Sequence, residues 1–373
     1  MSEHWLSDPT RLWPDYRPTR LIELPALARR AGVARVLVKA ENERPLGNFK
    51  ALGGMVAGLR GLARITGAQS LDELRHRCRA WPTPLRLVCA SDGNHGLAVA
   101  AAAQHAGVAA TVFLPAAIGS VRAARIRALG GDVMMVDGSY DDAVLAARAV
   151  AMRGDGLLIA DTSDDATDPA VIDVMAGYGL IARELAPQLR ACAATSVSHL
   201  FVQAGVGGLA AALADGLHAQ AQAPERLIVV EPEAAACVAR ALARGKPVQI
   251  EGELDTSARM LSCGLASASA LALLLWHRAQ ALSVDEPALQ RAPRELSLCG
   301  RRSRAARAAW PGFGQHGAAH RYRRRDRRRL KHPKPIDTRA PWLSKARGGR
   351  AGTPPSPARS ATGRADAAPA RSW

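Results

Sequence analysis

From about residue 85 to residue 235, six short apolar runs alternate with longer Ala-rich stretches of helical periodicity. The runs are Leu85–Ala90, Ala109–Leu114, Asp132–Val136, Gly156–Ala160, His199–Gln203 and Arg226–Val230, and the helical stretches include Tyr140–Arg153 and Pro169–Leu185. This alternation predicts an α/β fold of parallel β-α-β units with helices covering both faces of the sheet. In such sheets ligands bind beyond the carboxyl ends of the strands, where loops enter helices. The loops at those ends are therefore the places to look for function.

Ser91-Asp92-Gly93-Asn94-His95-Gly96 is one of them. Its two glycines permit a tight turn and close approach of a ligand to the main chain. The next helix would aim unpaired N–H groups and its positive dipole end into that turn, which suits an anion. An ordinary strand-to-helix loop with a polar cap accounts for the same residues equally well. Gln203-Ala204-Gly205-Val206-Gly207-Gly208-Leu209 is the second. Three glycines within four residues, between a strand and a helix, read as a phosphate cradle of backbone N–H groups. The spacing is neither that of a dinucleotide fingerprint nor that of a P-loop. A tight turn with close helix packing is the plain alternative. Upstream, a strand ends near Ala40, a Pro/Gly loop follows, and Lys50 opens a helix that contains Gly53 and Gly54. A lysine there opposes the helix dipole, which hints at a chemical role. Most lysines are nevertheless solvated surface residues.

The 373 residues allow two domains or one large α/β unit. Aromatic residues make up only 4%, so the core is expected to be Ala, Leu and Val. No run of eighteen apolar residues occurs and Met1–Pro9 lacks a signal-peptide pattern, so no membrane span is expected. Cys78, Cys89, Cys192, Cys237, Cys263 and Cys299 are scattered and form no C-x-x-C pair. That argues against a zinc site or a disulfide framework and fits the cytoplasm. The net charge of +17 would suggest nucleic acid, but its distribution does not. Residues 301–373 hold 17 Arg and 3 Lys against 3 Asp, so the excess belongs wholly to the tail and the first 300 residues are neutral. That tail, rich in Arg, Pro, Ala and Gly without hydrophobic periodicity, reads as disordered.

Taken together, Asn48-Phe49-Lys50, Ser91–Gly96 and Gly205–Gly208 resemble fold-type II pyridoxal-phosphate enzymes in order and spacing. Within them the diaminopropionate ammonia-lyase branch matches best. Its marks are Phe49-Lys50-Ala51-Leu52-Gly53-Gly54, Asp92 in Asp-Gly-Asn-His-Gly, Asp161-Thr162, Met175-x-Gly177-Tyr178 and Met260-Leu261-Ser262-Cys263-Gly264. The resemblance covers roughly residues 15–290.

The resemblance implies two parallel-sheet α/β domains with pyridoxal 5'-phosphate in the cleft. The large domain would comprise residues 1–80 and 175–300, the small one 81–174, in a homodimer. Lys50 would form the Schiff base, Gly205, Val206, Gly207 and Gly208 would hold the cofactor phosphate, and Asn94 would bond the ring's phenolic oxygen. The amides around Ser91, Asp92 and Gly93 would receive the carboxylate of a small amino-acid substrate. Asp92 would serve as general base with Asp161 as its partner, and an adjacent carboxylate raises the other's pKa. His95 reads as a loop-shaping residue. The implied reaction is α,β-elimination of 2,3-diaminopropionate to pyruvate and ammonia, with no metal. A serine/threonine dehydratase is the alternative.

Three departures bear on this. Ser163–Asp168 stands where the branch has aromatic residues, and Leu265 where it has Glu. After about residue 298 the family's Gly-Pro-Thr-Thr-Pro-Ser-Gly-like segment, which meets the pyridine nitrogen, gives way to the Arg-rich tail. A frameshift near residues 298–303 of a GC-rich gene would produce that tail and an impaired enzyme. A basic nucleic-acid-binding arm is the rival reading.

Overall fold

The structure is a computed structural model that describes residues 8–13, 16–116, 119–138, 140–194, 196–252 and 254–301. All of these belong to the first of two units, Met1–Ala318 and Ala319–Trp373. The basic tail beyond Arg301, with its expected disorder and the nucleic-acid reading, lies outside the described residues, which end within the span 298–303 proposed for the frameshift.

The chain begins with helix α1 (Pro9–Leu12), strand β1 (Leu21–Glu23), α2 (Pro25–Ala31) and β2 (Leu37–Lys39). β1 and β2 form a short antiparallel ribbon. α3 (Lys50–Thr66) and α4 (Leu71–Arg79) lead into β3 (Arg86–Ala90), α5 (Asn94–Ala106), β4 (Ala109–Pro115), α6 (Ser120–Arg127), β5 (Asp132–Val136), α7 (Tyr140–Met152) and β6 (Leu157–Leu158). These four strands form a parallel sheet in the order β5-β4-β3-β6. The long α8 (Pro169–Ala191) connects to β7 (His199–Gln203), α9 (Gly208–Ala219), β8 (Arg226–Pro232), α10 (Cys237–Arg244), α11 (Ala268–Trp276), β9 (Gln280–Val284) and α12 (Glu286–Arg301). The second sheet, also parallel, is ordered β7-β8-β9. All six apolar runs are strands, the run at 156–160 shortened to Leu157–Leu158.

α3 is the central helix, buried at Ala51–Leu59 and again at Gly61–Ala63. Small residues let its neighbours approach closely. A Cβ on Gly54 would lie 2.5 Å from the Ala98 methyl of α5, and one on Gly177 of α8 would lie 2.6 Å from the Leu52 carbonyl. A sequence with so few aromatic residues thus fills its core by bringing backbones together. The buried leucines of α3, Leu52, Leu59 and Leu62, each contribute about 1.5–3 kcal/mol on leaving water.

The second sheet departs from the expectation of two covered faces. Its inner face buries Val202, Leu227 and Val229. On the other face Phe201 pairs with Ile228, and Gln203, Val230 and Leu282 stand in one row. Phe201 there is 57% exposed and Leu282 46%. Parallel sheets are normally covered on both sides, but the described residues supply no cover here. Nor do they supply a strand for the outer edge of β9. No helix among the described residues is long and apolar enough to cross a membrane.

Candidate active site

The strand-end loops, together with the start of α3, line one cleft of about 250 Å³. Lys50, Ser91, Asp92, Asn94, Asp161 and Gly205–Gly208 all border it, and of the positions chosen from sequence only Gly93 does not.

Lys50 enters the cleft from the first turn of α3. Asn48 shapes the approach: its Oδ1 accepts the Lys50 N–H at 3.0 Å and its Nδ2 donates to the Leu46 carbonyl at 3.1 Å. Leu46 has a φ of 64°, a left-handed conformation uncommon for a branched side chain. Arg125 donates to the same Leu46 carbonyl at 2.8 Å. Behind this loop, buried Arg44 pairs with Glu41 at 2.5 Å and with Glu184 at 2.6 Å. The lysine is thus held from the loop side as well as by its helix.

At its tip, Lys50 Nζ lies 2.5 Å from Asp161 Oδ2, and the Tyr140 hydroxyl donates to Asp161 Oδ1 at 3.4 Å. Burial works against both charges, but each outweighs it for the other. The Lys50 ammonium therefore titrates above its ordinary range and the Asp161 carboxyl below its own. Asp92 goes the other way: burial, and then the charge of Asp161, push it up to about 6. Two carboxylates in one cleft are thereby set apart, one permanently ionised and one poised to exchange a proton.

The Ser91 hydroxyl knits the hexapeptide together by accepting the N–H groups of Gly93 and Gly96, each at 2.8 Å. Gly93 has a φ of 131°, and a Cβ there would meet the Arg122 side chain at 2.9 Å, so only glycine fits. Arg122 donates to the Asp92 carbonyl at 2.9 Å. The Ser91 N–H donates to Phe113 in the sheet. Of the three amides expected to receive a carboxylate, those of Ser91 and Gly93 are thus engaged inside the fold, and that of Asp92 is left. The Asn94 side chain makes no hydrogen bond among the described residues. His95 Nε2 lies 2.8 Å from the Ile159 carbonyl, while its buried Nδ1 has no partner. Burial lowers its pKa, so the ring is neutral and donates from Nε2.

Across the cleft, Gly205–Gly208 connects β7 to α9. The Gly205 carbonyl accepts the Cys237 thiol at 3.1 Å and the Val206 carbonyl accepts Ser267 N–H at 3.0 Å. Gly207 has a φ of 96°. The N–H groups of the first turn of α9 have no partner inside the helix and remain for an anion. A Cβ on Gly205 would sit 2.8 Å from Cys263 Sγ, so the cradle is tight on that side.

Tyr140, Tyr178 and Cys263 also line the cleft, and sequence reasoning assigned them no role. Tyr178 and Cys263 stand in motifs that carry the resemblance, whereas nothing local marked Tyr140. Tyr178 packs edge-on against Phe49 with centroids 5.2 Å apart. Burial pushes the Tyr178 phenol and the Cys263 thiol each up to about 12, so both are neutral. The donor set suits pyridoxal phosphate: an amine at one side, an amide cradle for a phosphate at the other, and an unpartnered Asn94 among them.

A sequence model of the family described as "Pyridoxal-phosphate dependent enzyme" matches residues 12–313. A diaminopropionate ammonia-lyase of Escherichia coli K12 is 33% identical over 257 residues, 67% of this chain and 63% of that protein. An L-threonine dehydratase of Pasteurella multocida is 31% identical over 235 residues, covering 62% of this chain and 39% of that protein. Among solved structures, holo diaminopropionate ammonia lyase from Escherichia coli superposes with a TM-score of 0.69 at 28% identity, over 78% of this chain and 75% of that one. The chain thus spans 63% of the length of the curated ammonia-lyase. The expected α/β, fold-type II architecture is borne out by these likenesses.

Proposed function

The chain belongs to the pyridoxal-phosphate dependent enzymes, and on that premise we propose that it eliminates ammonia from 2,3-diaminopropionate to give pyruvate. The observation that carries the reading is the pair Asp92 and Asp161 lining one cleft with Lys50, since two carboxylates suit a substrate with a second, cationic amino group. When bound, pyridoxal phosphate supplies the electron sink for charge developing at the substrate Cα.

The chain's own residues would do the rest. Lys50 would hold the cofactor through its amine, Gly205, Val206, Gly207 and Gly208 would receive the phosphate on their amides, and Asn94 would bond the ring oxygen. The Asp92 N–H and the turn around Ser91 and Gly93 receive the substrate carboxylate. Asp161, ionised throughout, holds the β-ammonium group in place. Asp92, with a pKa near 6, or Lys50, takes the Cα proton, one from each face. The β-amino group then leaves as ammonia, and addition of water to the resulting aminoacrylate releases the second ammonia and pyruvate. In this reading the four-stranded sheet belongs to the small domain (81–174) and the three-stranded sheet to the large one (1–80 and 175–300). The protein works as a cytoplasmic homodimer.

The test is pyruvate formation from D- and L-2,3-diaminopropionate, with L-serine and L-threonine alongside. Turnover of the diamino acid that falls at least a hundredfold in Asp92→Asn supports the reading, in line with about 10²–10⁴ for a general base. Turnover of the hydroxy amino acids alone makes the protein a dehydratase, and turnover of none overturns the proposal.

A further inference from the structure

An amine that must attack an aldehyde needs its lone pair, yet Lys50 is locked in an ion pair. Its side chain is 21% exposed and that of Asp161 11%, with 2.5 Å between them. The second oxygen of Asp161 faces the Tyr140 hydroxyl of α7 at 3.4 Å. The other titratable groups around the amine are Asp92 and His95 in the hexapeptide loop, Cys89 on β3, Tyr178 on α8 and Cys263 in the 259–264 segment. His95 is neutral and the phenols and thiols keep their protons at physiological pH. Asp161 is thus the charge in contact with Lys50, with Asp92 adding a second carboxylate.

We propose that Asp161 is a latch on cofactor loading. It holds Lys50 as the ammonium in the cofactor-free protein, and loading is slow until that proton is given up. The step balances simply: the ammonium releases one proton to solvent, the freed nitrogen forms a bond to the aldehyde carbon, and one water leaves as the imine forms. Docking of the cofactor phosphate on the Gly205–Gly208 amides needs no such event. Loading therefore has two phases, fast reversible docking and slow, pH-dependent capture. The inference rests on Lys50 being the cofactor-bearing amine.

The experiment mixes cofactor-free protein with pyridoxal phosphate and quenches with borohydride at intervals, then measures the label on the Lys50 peptide by mass. Below the pKa of an amine its free-base fraction rises tenfold per pH unit, and an unpaired lysine levels off at about pH 10.4, so the wild-type capture rate should still be climbing beyond that value. One contacting opposite charge moves a pKa by about 1–3 units, so Asp161→Asn should load roughly ten- to a thousandfold faster at neutral pH. Equal or slower loading of a folded Asp161→Asn protein, or a wild-type plateau at or below about pH 10.4, overturns the latch. If the variant does not fold, the wild-type profile decides, supported by dinitrophenylation of Lys50 in the cofactor-free protein, which should be suppressed over the same range. Lys50→Ala separates the two ideas. Labelling of that variant to the wild-type extent elsewhere in the chain refutes the assignment of Lys50 itself, whatever the role of Asp161.

Discussion

Glu184→Gln tests how the N-terminal ribbon and the loop before Lys50 are held to the central helices. Glu184 sits on α8 with 5% of its side chain exposed and meets Lys39 Nζ at 2.6 Å. It also accepts two bonds from Arg44, at 2.6 and 2.9 Å, the Thr19 N–H at 3.2 Å and the Tyr16 hydroxyl. Arg44 is wholly buried at its side chain and Lys39 is 10% exposed, so the two cations have little water to turn to. Removing one partner of a buried pair typically costs about 3–5 kcal/mol. Glu41 still faces Arg44 at 2.5 Å, and a glutamine keeps part of the hydrogen bonding, which places the loss near the lower end, about 3 kcal/mol. Urea unfolding followed by circular dichroism should show the midpoint falling by about 1 M for a slope near 3 kcal/mol/M. Adding Lys39→Met to the Gln variant removes the surplus cation and should recover about 1 kcal/mol or more. Burial opposes ionisation of Glu184, but the bonds from Arg44 outweigh it and its carboxyl titrates below the ordinary 4.5. Its contribution is therefore full above that value and is lost as pH falls through the lower, folded-state value. The acid-side loss should be smaller in the Gln variant. A single variant within about 1 kcal/mol of wild type, or a double variant no more stable than the single, would refute the argument that these charges are mutually dependent.

Three further outcomes follow from the site and its supports. The side-chain carboxyl carbon of Asp92 in the cofactor-free protein should titrate near pH 6 by NMR, and lower in Asp161→Asn, because the charge that raises it is gone. Gly207→Ala, at a φ of 96°, should weaken pyridoxal-phosphate binding measured by equilibrium dialysis, since a non-glycine backbone there costs about 1–3 kcal/mol of strain. Gly177→Ala places a methyl 2.6 Å from the Leu52 carbonyl and should lower the unfolding midpoint by the equivalent of about 1–3 kcal/mol, the usual cost of overpacking.

The strands from β3 to β8 were legible because each is a compact apolar run bounded by turn residues, and the observed bounds fall close to those runs. β9 was not legible: Gln280-Ala281-Leu282-Ser283-Val284 lies at the edge of the sheet that the described residues form and is exposed at four of its five positions, so burial left no mark on its composition. The three loops of the cleft were readable from their own residues. What joins them was not. Tyr140 lies 21 positions from Asp161, and only the β3–β6 pairing and the seating of α7 bring its hydroxyl to that carboxylate. Likewise nothing in the sequence showed that the Ser91 hydroxyl closes the loop on itself. Type and spacing in a sequence show which atoms are available, and the fold determines which are already spoken for.

The uncovered face of β7–β9 makes concentration a structural variable. Phe201 and Leu282 offer apolar area to any passing chain, and among the described residues nothing pairs with the outer edge of β9, whose backbone donors and acceptors suit strand addition. Two molecules meeting edge to edge could extend the sheet with no change in either. Loss of soluble protein on storage should accordingly follow second-order kinetics, so that dilution lengthens the useful life of a preparation.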